Sequence, residues 1–397
     1  MAITLDTLGI VCSLGIDKTL VREKLTTLDE KQVYLTCDTH LHVENHPLWV
    51  GQVSAPLPDM QSFPPHQQSR NNQLALAAYG QISQAVEDWK ASHSVQRLGV
   101  IIGTSTSGIA CGEEAVQHFR QHKNWPHGYH YSKQEMSATA DFIAAISGTK
   151  GPVYAISTAC TSGAKALISA RSLIRAGIID AAICGGADSL SGLPVNGFSA
   201  LEAVSKEICR PFDAARDGIN LGEGAALFFM TKNHGKIALS GVGESSDAYH
   251  ISSPHPEGKG AEAAMNAALT DAHCQAEHID YLNLHGTGTI KNDEMESAAV
   301  ARLFGCDVPC SSTKHLTGHT LGAAGALEAA FCWLLMTTEQ PQVQLPKNRT
   351  STVDPRLPPL TMVADGKVEK PVYCMSNSFA FGGNNISLIL EHLHENL

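Results

Sequence analysis

Short apolar runs alternate with longer stretches rich in Ala and Leu along most of this chain. That alternation restricts the fold more than any other feature of the sequence. Eight runs, at 98–102, 153–156, 181–184, 225–230, 237–242, 281–284, 372–375 and 386–390, have the length and composition of buried strands. The segments 72–91, 161–176, 260–272, 293–304 and 322–338 read as helices between them. Strands and helices in alternation predict an α/β fold, with sheets covered by helices and central strands buried on both faces. The chain of 397 residues is long enough for two to three average domains. No low-complexity linker divides it, and the natural break falls near 232–235. Two halves are therefore expected, 1–232 and 233–397. A faint echo links Tyr154-Ala-Ile-Ser-Thr with Tyr373-Cys-Met-Ser-Asn-Ser, both strands running into a loop.

Charge and cysteine usage exclude several classes. With 28 Lys plus Arg against 39 Asp plus Glu, the formal net charge is −11. No Lys/Arg-rich run stands out, so a nucleic-acid binder is not indicated. No stretch approaches the length of a membrane span. The opening MAITLDTLGIVCSLG has no basic region and carries Asp6, unlike a signal peptide. Eleven cysteines, irregularly spaced and without a CxxC, suit reduced thiols and a cytoplasmic protein rather than a disulfide framework. The isolated pair Cys306/Cys310 and the surface-like groups His40/His42 and His392/His394 lack a matching second ligand pair, so no metal site is expected.

Four segments could carry chemistry. In Ile156-Ser-Thr-Ala-Cys160-Thr-Ser-Gly a strand ends and a helix begins at the cysteine. A helix N-terminus favours thiolate, the nucleophilic form. Asn283-Leu-His285-Gly-Thr287-Gly-Thr289 puts a histidine at a strand end beside two glycines. In Lys314-His-Leu-Thr-Gly318-His319-Thr-Leu-Gly322 a Gly-rich turn presents His319 before a helix of small residues. Read alone, each histidine is equally a residue that closes a strand or fills a core. Asn377-Ser-Phe379-Ala380-Phe381-Gly382-Gly383 has the makings of a backbone oxyanion donor with an aromatic gate, or of a plain turn before the last strand.

In this order and spacing the four segments resemble the β-ketoacyl-acyl carrier protein synthases of the thiolase superfamily. Further matches are Arg210-Pro-Phe-Asp213, Arg216-Asp217-Gly218, Gly222-Glu223-Gly224, Ser246-Asp-Ala-Tyr-His250, and Asp293 and Glu296 after HGTGT. The likeness is close over about 90–392 and loose before that. It implies a thiolase fold, five-layered αβαβα, built from two similar halves. It implies an acyltransferase, a ketosynthase that condenses an enzyme-bound acyl thioester with malonyl-acyl carrier protein. The product is a β-ketoacyl chain and CO2. Carried over by motif, Cys160 bears the acyl group. His285 and His319 stabilise the enolate, Lys314 supports their field and orients His319, and Glu328 anchors that segment. The backbone N–H groups of Cys160 and Phe381 form the oxyanion hole, and Ala380, Gly382 and Gly383 complete the gate. Thr287, Thr289, Ser252 and Ser253 match pantetheine-binding positions, and Thr106 and Phe198 the acyl pocket. No metal or redox cofactor is implied. The partners implied are acyl carrier protein with malonyl and acyl thioesters, and a second subunit. The latter is an identical copy or a chain-length-factor-like paralogue.

The Cys–His–His set separates this chain from starter-unit synthases, degradative thiolases and chain-length factors. It differs from fatty-acid elongation enzymes elsewhere. Ala380 replaces a glycine in the gate, where a left-handed backbone would be strained. Thr106 replaces a larger apolar residue, which suggests a longer, unsaturated or more polar acyl chain. Arg70-Asn71-Asn72 and Glu202 replace basic docking positions. Together these point toward aryl-polyene or type II polyketide biosynthesis. The competing readings are a non-condensing malonyl decarboxylase, the scaffold subunit of a heterodimeric ketosynthase, and a cysteine hydrolase.

Overall fold

The computed structural model describes residues 2–27, 32–350 and 352–393, so His394 lies outside the described residues. Eleven strands form one array: β1 (Ile3–Val11), β2 (Leu98–Gly103), β3 (Val153–Ile156), β4 (Ala181–Asp188), β5 (Gly224–Lys232), β6 (Ile237–Ser246), β7 (Tyr281–Asn283), β8 (Pro309–Ser311), β9 (Thr361–Met362), β10 (Tyr373–Phe379) and β11 (Asn384–His392). Their order is β9-β8-β7-β10-β11-β6-β1-β5-β4-β2-β3. At the centre β1 and β6 are joined by a single residue pair, Thr4 with Ala238. The array is therefore two sheets meeting at a seam.

Outward from that seam the halves have the same topology. One runs β1-β5-β4-β2-β3, the other β6-β11-β10-β7-β8, with the two-residue β9 added at the edge. In each, the first three strands are antiparallel neighbours and the last three parallel. The topology corrects the sequence echo. Val153–Ile156 is the counterpart of Pro309–Ser311, and Tyr373–Phe379 that of Ala181–Asp188. Parallel neighbours need crossover helices, which cover the sheet faces.

Six of those helices make the layers: α1 (Arg70–Gly80), α2 (Ala138–Ser147), α3 (Ser162–Arg175), α4 (Lys259–Ala272), α5 (Ile290–Phe304) and α6 (Ala324–Met336). α1 and α2 cover the outer face of the first sheet, α4 and α5 that of the second, and α3 and α6 lie between the sheets. The result is αβαβα, a thiolase fold. Each helix–sheet junction has its own apolar cluster; that around α3 and α6 joins both halves. All thirteen residues of α6 are buried, as a helix between two sheets requires.

Two element assignments differ from the sequence reading. The single helix expected over 72–91 is two, Arg70–Gly80 and Ser83–Lys90. The break falls at Gln81, whose side chain hydrogen-bonds the backbone of Ile10 and Ile16. The central strand β1 was not expected, because Thr4 and Asp6 interrupt its apolar pattern. Its Asp6 accepts hydrogen bonds from Thr4 (2.6 Å) and Thr231 (2.5 Å), and burial pushes its carboxyl pKa up.

Candidate active site

After β3 the chain makes a tight turn into α3. Ala159 sits at φ +53°, a left-handed conformation that costs an alanine about 1–2 kcal/mol. Side chains hold the turn shut: Thr161 donates to the Thr158 carbonyl (2.7 Å) and Ser162 to the Ala159 carbonyl (2.6 Å). The next residue, Cys160, is 6% exposed. Burial pushes its thiol up to about 12, with Lys314 and the backbone N–H groups of Phe381 and Cys160 acting in the opposite direction. Burial therefore opposes the thiolate that the helix N-terminus and Lys314 favour.

His285 lies two residues past β7. Glu296, buried in α5, accepts the N–H groups of His285 and Gly286, each at 2.7 Å. The second carboxylate of that helix, Asp293, takes the N–H groups of Phe212 (2.7 Å) and Gly288 (3.2 Å). The acidic pair downstream of HGTGT therefore holds the loop rather than facing substrate. Burial pushes both carboxyls up, Glu296 to about 7 and Asp293 to about 6.

His319 follows Gly318 (φ +66°). Its N–H donates to the Asn220 carbonyl (2.6 Å), and its carbonyl accepts the Gly222 N–H (3.0 Å). A side chain at Gly222 would put Cβ 2.1 Å from the Thr317 carbonyl oxygen, which explains a glycine there. His319 Nε2 lies 3.0 Å from Cys160 Sγ. The His285 and His319 rings meet edge to face, centroids 5.3 Å apart. Burial first, and the charge of Lys314 second, hold both imidazoles well below the usual pKa of 6.5. Both are therefore neutral at physiological pH.

Lys314 is 1% exposed and donates to the His285 carbonyl and to Glu328. Its direct bond is thus to the His285 backbone, and it acts on His319 through its charge. His315 is half-buried, its pKa lowered to about 3 chiefly by desolvation. In the gate, Gly382 (φ +84°) and Gly383 (φ +79°) take the left-handed positions and Ala380 does not, so the alanine is accommodated without strain. Gly382 N–H donates to the Ile251 carbonyl at 2.8 Å. The Phe381 ring packs on Phe198, centroids 5.4 Å apart.

A channel of about 380 Å³ runs to Cys160, His285 and His319. Thr287, Thr289, Ser252 and Ser253 all line it, as do Ala380 and Phe381. A second cavity of about 200 Å³ lies against Cys160 and is lined by Thr106, Ile109, Leu193, Phe198, Leu321 and Phe381 among others. Phe198 and Phe381 belong to both walls and so stand at the junction. Thr106 does not offer this cavity its hydroxyl, which donates to Asp188 at 2.7 Å. A hydroxyl so engaged gives the cavity floor little polar character.

Asp188 escaped the sequence reading. Fully buried at the end of β4, it also accepts the N–H groups of Thr106 (2.9 Å) and Gly322 (2.6 Å) and the Ser105 hydroxyl (2.7 Å). It ties the floor of the acyl cavity to the turn carrying His319. The available signal was an acid closing the apolar run Gly185-Gly-Ala-Asp188. Glu223 has a similar role: it binds Arg70 at 2.6 Å, so Arg70 is structural rather than a docking cation. The donor atoms of Cys160, His285 and His319 lie within 4.8 Å of one another, as do those of the surface residues His42, Glu44 and His46.

A two-half thiolase fold with a cysteine before one middle-layer helix, and two neutral histidines beside it, defines an acyl-transferring condensing enzyme. The N-terminal domain model of β-ketoacyl synthases matches residues 21–234 and the C-terminal domain model residues 237–346. The chain belongs to the β-ketoacyl synthase family, and is a ketosynthase of the acyltransferase class. It is 31% identical over 408 residues to nodulation protein E of Rhizobium meliloti, covering 97% of this chain and 98% of that one. It is 35% identical over 321 residues to 3-oxoacyl-[acyl-carrier-protein] synthase 2 of Vibrio cholerae, covering 75% and 76%. The ketosynthase ApeO, solved in complex with its chain length factor ApeC from Xenorhabdus doucetiae, superposes with a TM-score of 0.93 at 42% identity, covering 99% and 98%. Among the described residues no helix is long and apolar enough to cross a membrane.

Proposed function

We propose that the chain elongates a carrier-bound acyl group with the following division of labour. The Cys160 thiol attacks the incoming acyl thioester while His319, 3.0 Å away, accepts its proton. The carrier thiol leaves protonated. Malonyl-carrier protein then enters the channel, its pantetheine arm along Thr287, Thr289, Ser252 and Ser253. Loss of CO2 leaves an enolate, whose oxygen the N–H groups of the two neutral imidazoles stabilise; fixed donors of this kind contribute about 3–4 kcal/mol each. The carbanion attacks the Cys160 thioester. The resulting oxyanion rests on the N–H groups of Cys160 and Phe381, and the thiolate departs to be reprotonated. A soft nucleophile that also leaves well suits a thioester. The observation that carries this reading is the juxtaposition of Cys160 with two neutral histidines at the end of one channel.

We also infer a heterodimer with a chain-length-factor-like paralogue, as in ApeO–ApeC, and an aryl-polyene type of product. The acyl cavity reaches the surface at Leu193, which is 61% exposed. Glu113, on the neighbouring helix Ile109–His122, accepts the Leu193 N–H. That helix exposes Val116 and Phe119, and Phe119 stacks on the exposed Trp125. Among the described residues the sheet ends on Val153–Ile156, an unpaired edge with every residue half-buried; such edges are normally covered. A partner on this face would close the cavity and set its length. Eleven free cysteines suit the cytoplasm.

The test is intact mass after mixing with acyl-loaded carrier protein, with Cys160→Ala as control. A gain equal to the acyl group, absent in the control, is expected. No gain with any acyl chain, while malonyl-carrier protein still loses CO2, would favour the decarboxylase reading.

A further inference from the structure

The mouth of the channel carries an unusual charge. Besides the neutral histidines, the ionisable side chains lining it are Cys160, Glu202, Asp217 and Lys291. Lys291 is thus the one cation among the described lining residues, in a rim whose other charges are acidic. It occupies the first turn of the fifteen-residue helix Ile290–Phe304. A cation at that end opposes the helix macrodipole. No carboxylate among the described residues lies within 4.0 Å of it, in contrast to nearby Arg216, which meets Asp354 at 2.6 Å and Glu294 at 3.7 Å. Asp293, in the same first turn, is turned inward to the Gly288 and Phe212 N–H groups. Lys291 is instead steered over the mouth by Ser253, whose hydroxyl oxygen accepts from Nζ at 3.0 Å. From there Thr289 and Thr287, joined at 2.9 Å, continue along the wall.

An exposed cation without a carboxylate partner, set against a helix dipole at the mouth of a site, is suited to an external anion. We propose that Lys291 binds the phosphate of the phosphopantetheine arm and is the residue by which this chain prefers phosphorylated over phosphate-free pantetheine thioesters. The inference rests on the carrier-dependent reading above. Arg70 is engaged by Glu223 and does not compete for this role.

The test compares acylation of Cys160 by acyl-pantetheine and by acyl-4′-phosphopantetheine, followed by intact mass on the protein in complex with its partner subunit. Three forms are compared: unaltered, Lys291→Ala and Lys291→Arg. The unaltered protein is expected to favour the phosphorylated thioester by about tenfold, mainly through KM, with the preference shrinking as salt is raised. In Lys291→Ala it should fall to near parity, and in Lys291→Arg it should persist. An unaltered preference in Lys291→Ala, or none in the starting protein, overturns the assignment. If neither compound nor acyl-carrier protein acylates Cys160 in any form, the condensing reading itself fails, and this inference with it.

Discussion

The two halves of the molecule deliver their reactive groups by the same device, and use it differently. In the first, β3 leads through left-handed Ala159 to Cys160 and into Ser162–Arg175. In the second, β8 leads through left-handed Gly318 to His319 and, past left-handed Leu321, into Ala324–Met336. The helices cross on reciprocal glycines. A Cβ on Gly163 would lie 2.9 Å from that of Ala326, and one on Gly325 would lie 2.8 Å from that of Ala164. That close approach lets the thiol and the imidazole meet. The electrostatics then diverge. The first helix sends Arg171 out to Asp271 and Lys165 to Glu244. The second is buried throughout and carries its charge as the enclosed pair Lys314–Glu328. In the proposed mechanism one fold element, used twice, gives a nucleophile on one side and a neutral proton acceptor and enolate binder on the other. Burial, and the buried cation second, lower the pKa of both histidines.

Separating the two arms should have the largest effect. His319→Ala is expected to lower malonyl decarboxylation by about 10²–10³-fold, while Cys160→Ala keeps decarboxylation and loses only condensation; equal loss in both would break the division of labour. Next, Gly163→Val should push the helices apart. A displacement of about 1 Å is enough for roughly a 10²-fold drop in kcat, with about 1–3 kcal/mol of stability lost to overpacking. Steady-state kinetics beside urea unfolding read both, and full activity would show that the crossing does not set the geometry. Third, Lys314→Met leaves the buried Glu328 carboxyl without its partner, and should cost about 3–5 kcal/mol, much of it recovered in Lys314→Met/Glu328→Leu. The same change removes a charge that lowers both histidine pKa values. They rise toward 6.5, so protonation begins at a higher pH and the acid limb of decarboxylation moves upward. A limb that stays in place would show that burial alone keeps the rings neutral. The smallest effect concerns the thiol. With Cys160 pushed up to about 12, its alkylation by iodoacetamide should keep rising above pH 9. A plateau near 7 would mean that the helix N-terminus wins after all.

Much of the fold was legible because buried strands and Ala-rich helices differ in length and composition. All eight expected runs are strands, within a few residues at their ends. Where a side chain's partner is distant, the reading failed. Gln81 ends a helix because of Ile10 and Ile16, and Asp6 sits in a central strand because Thr231 meets it 225 positions later. The same holds in the site. Cys160, His285 and His319 stood out by their turns, whereas Asp188 makes sense only once Thr106 and Gly322 are folded onto it.

The sequence by itself determined the layers and singled out the candidate reactive groups. Hydrophobic period and local turn chemistry are properties of neighbouring residues, and the motif spacing carried the family. Tertiary structure decided the protonation states, the absence of strain at Ala380, the engagement of Arg70 and the isolation of Lys291. Each depends on desolvation or on a partner far away in the chain, and neither is written in local pattern.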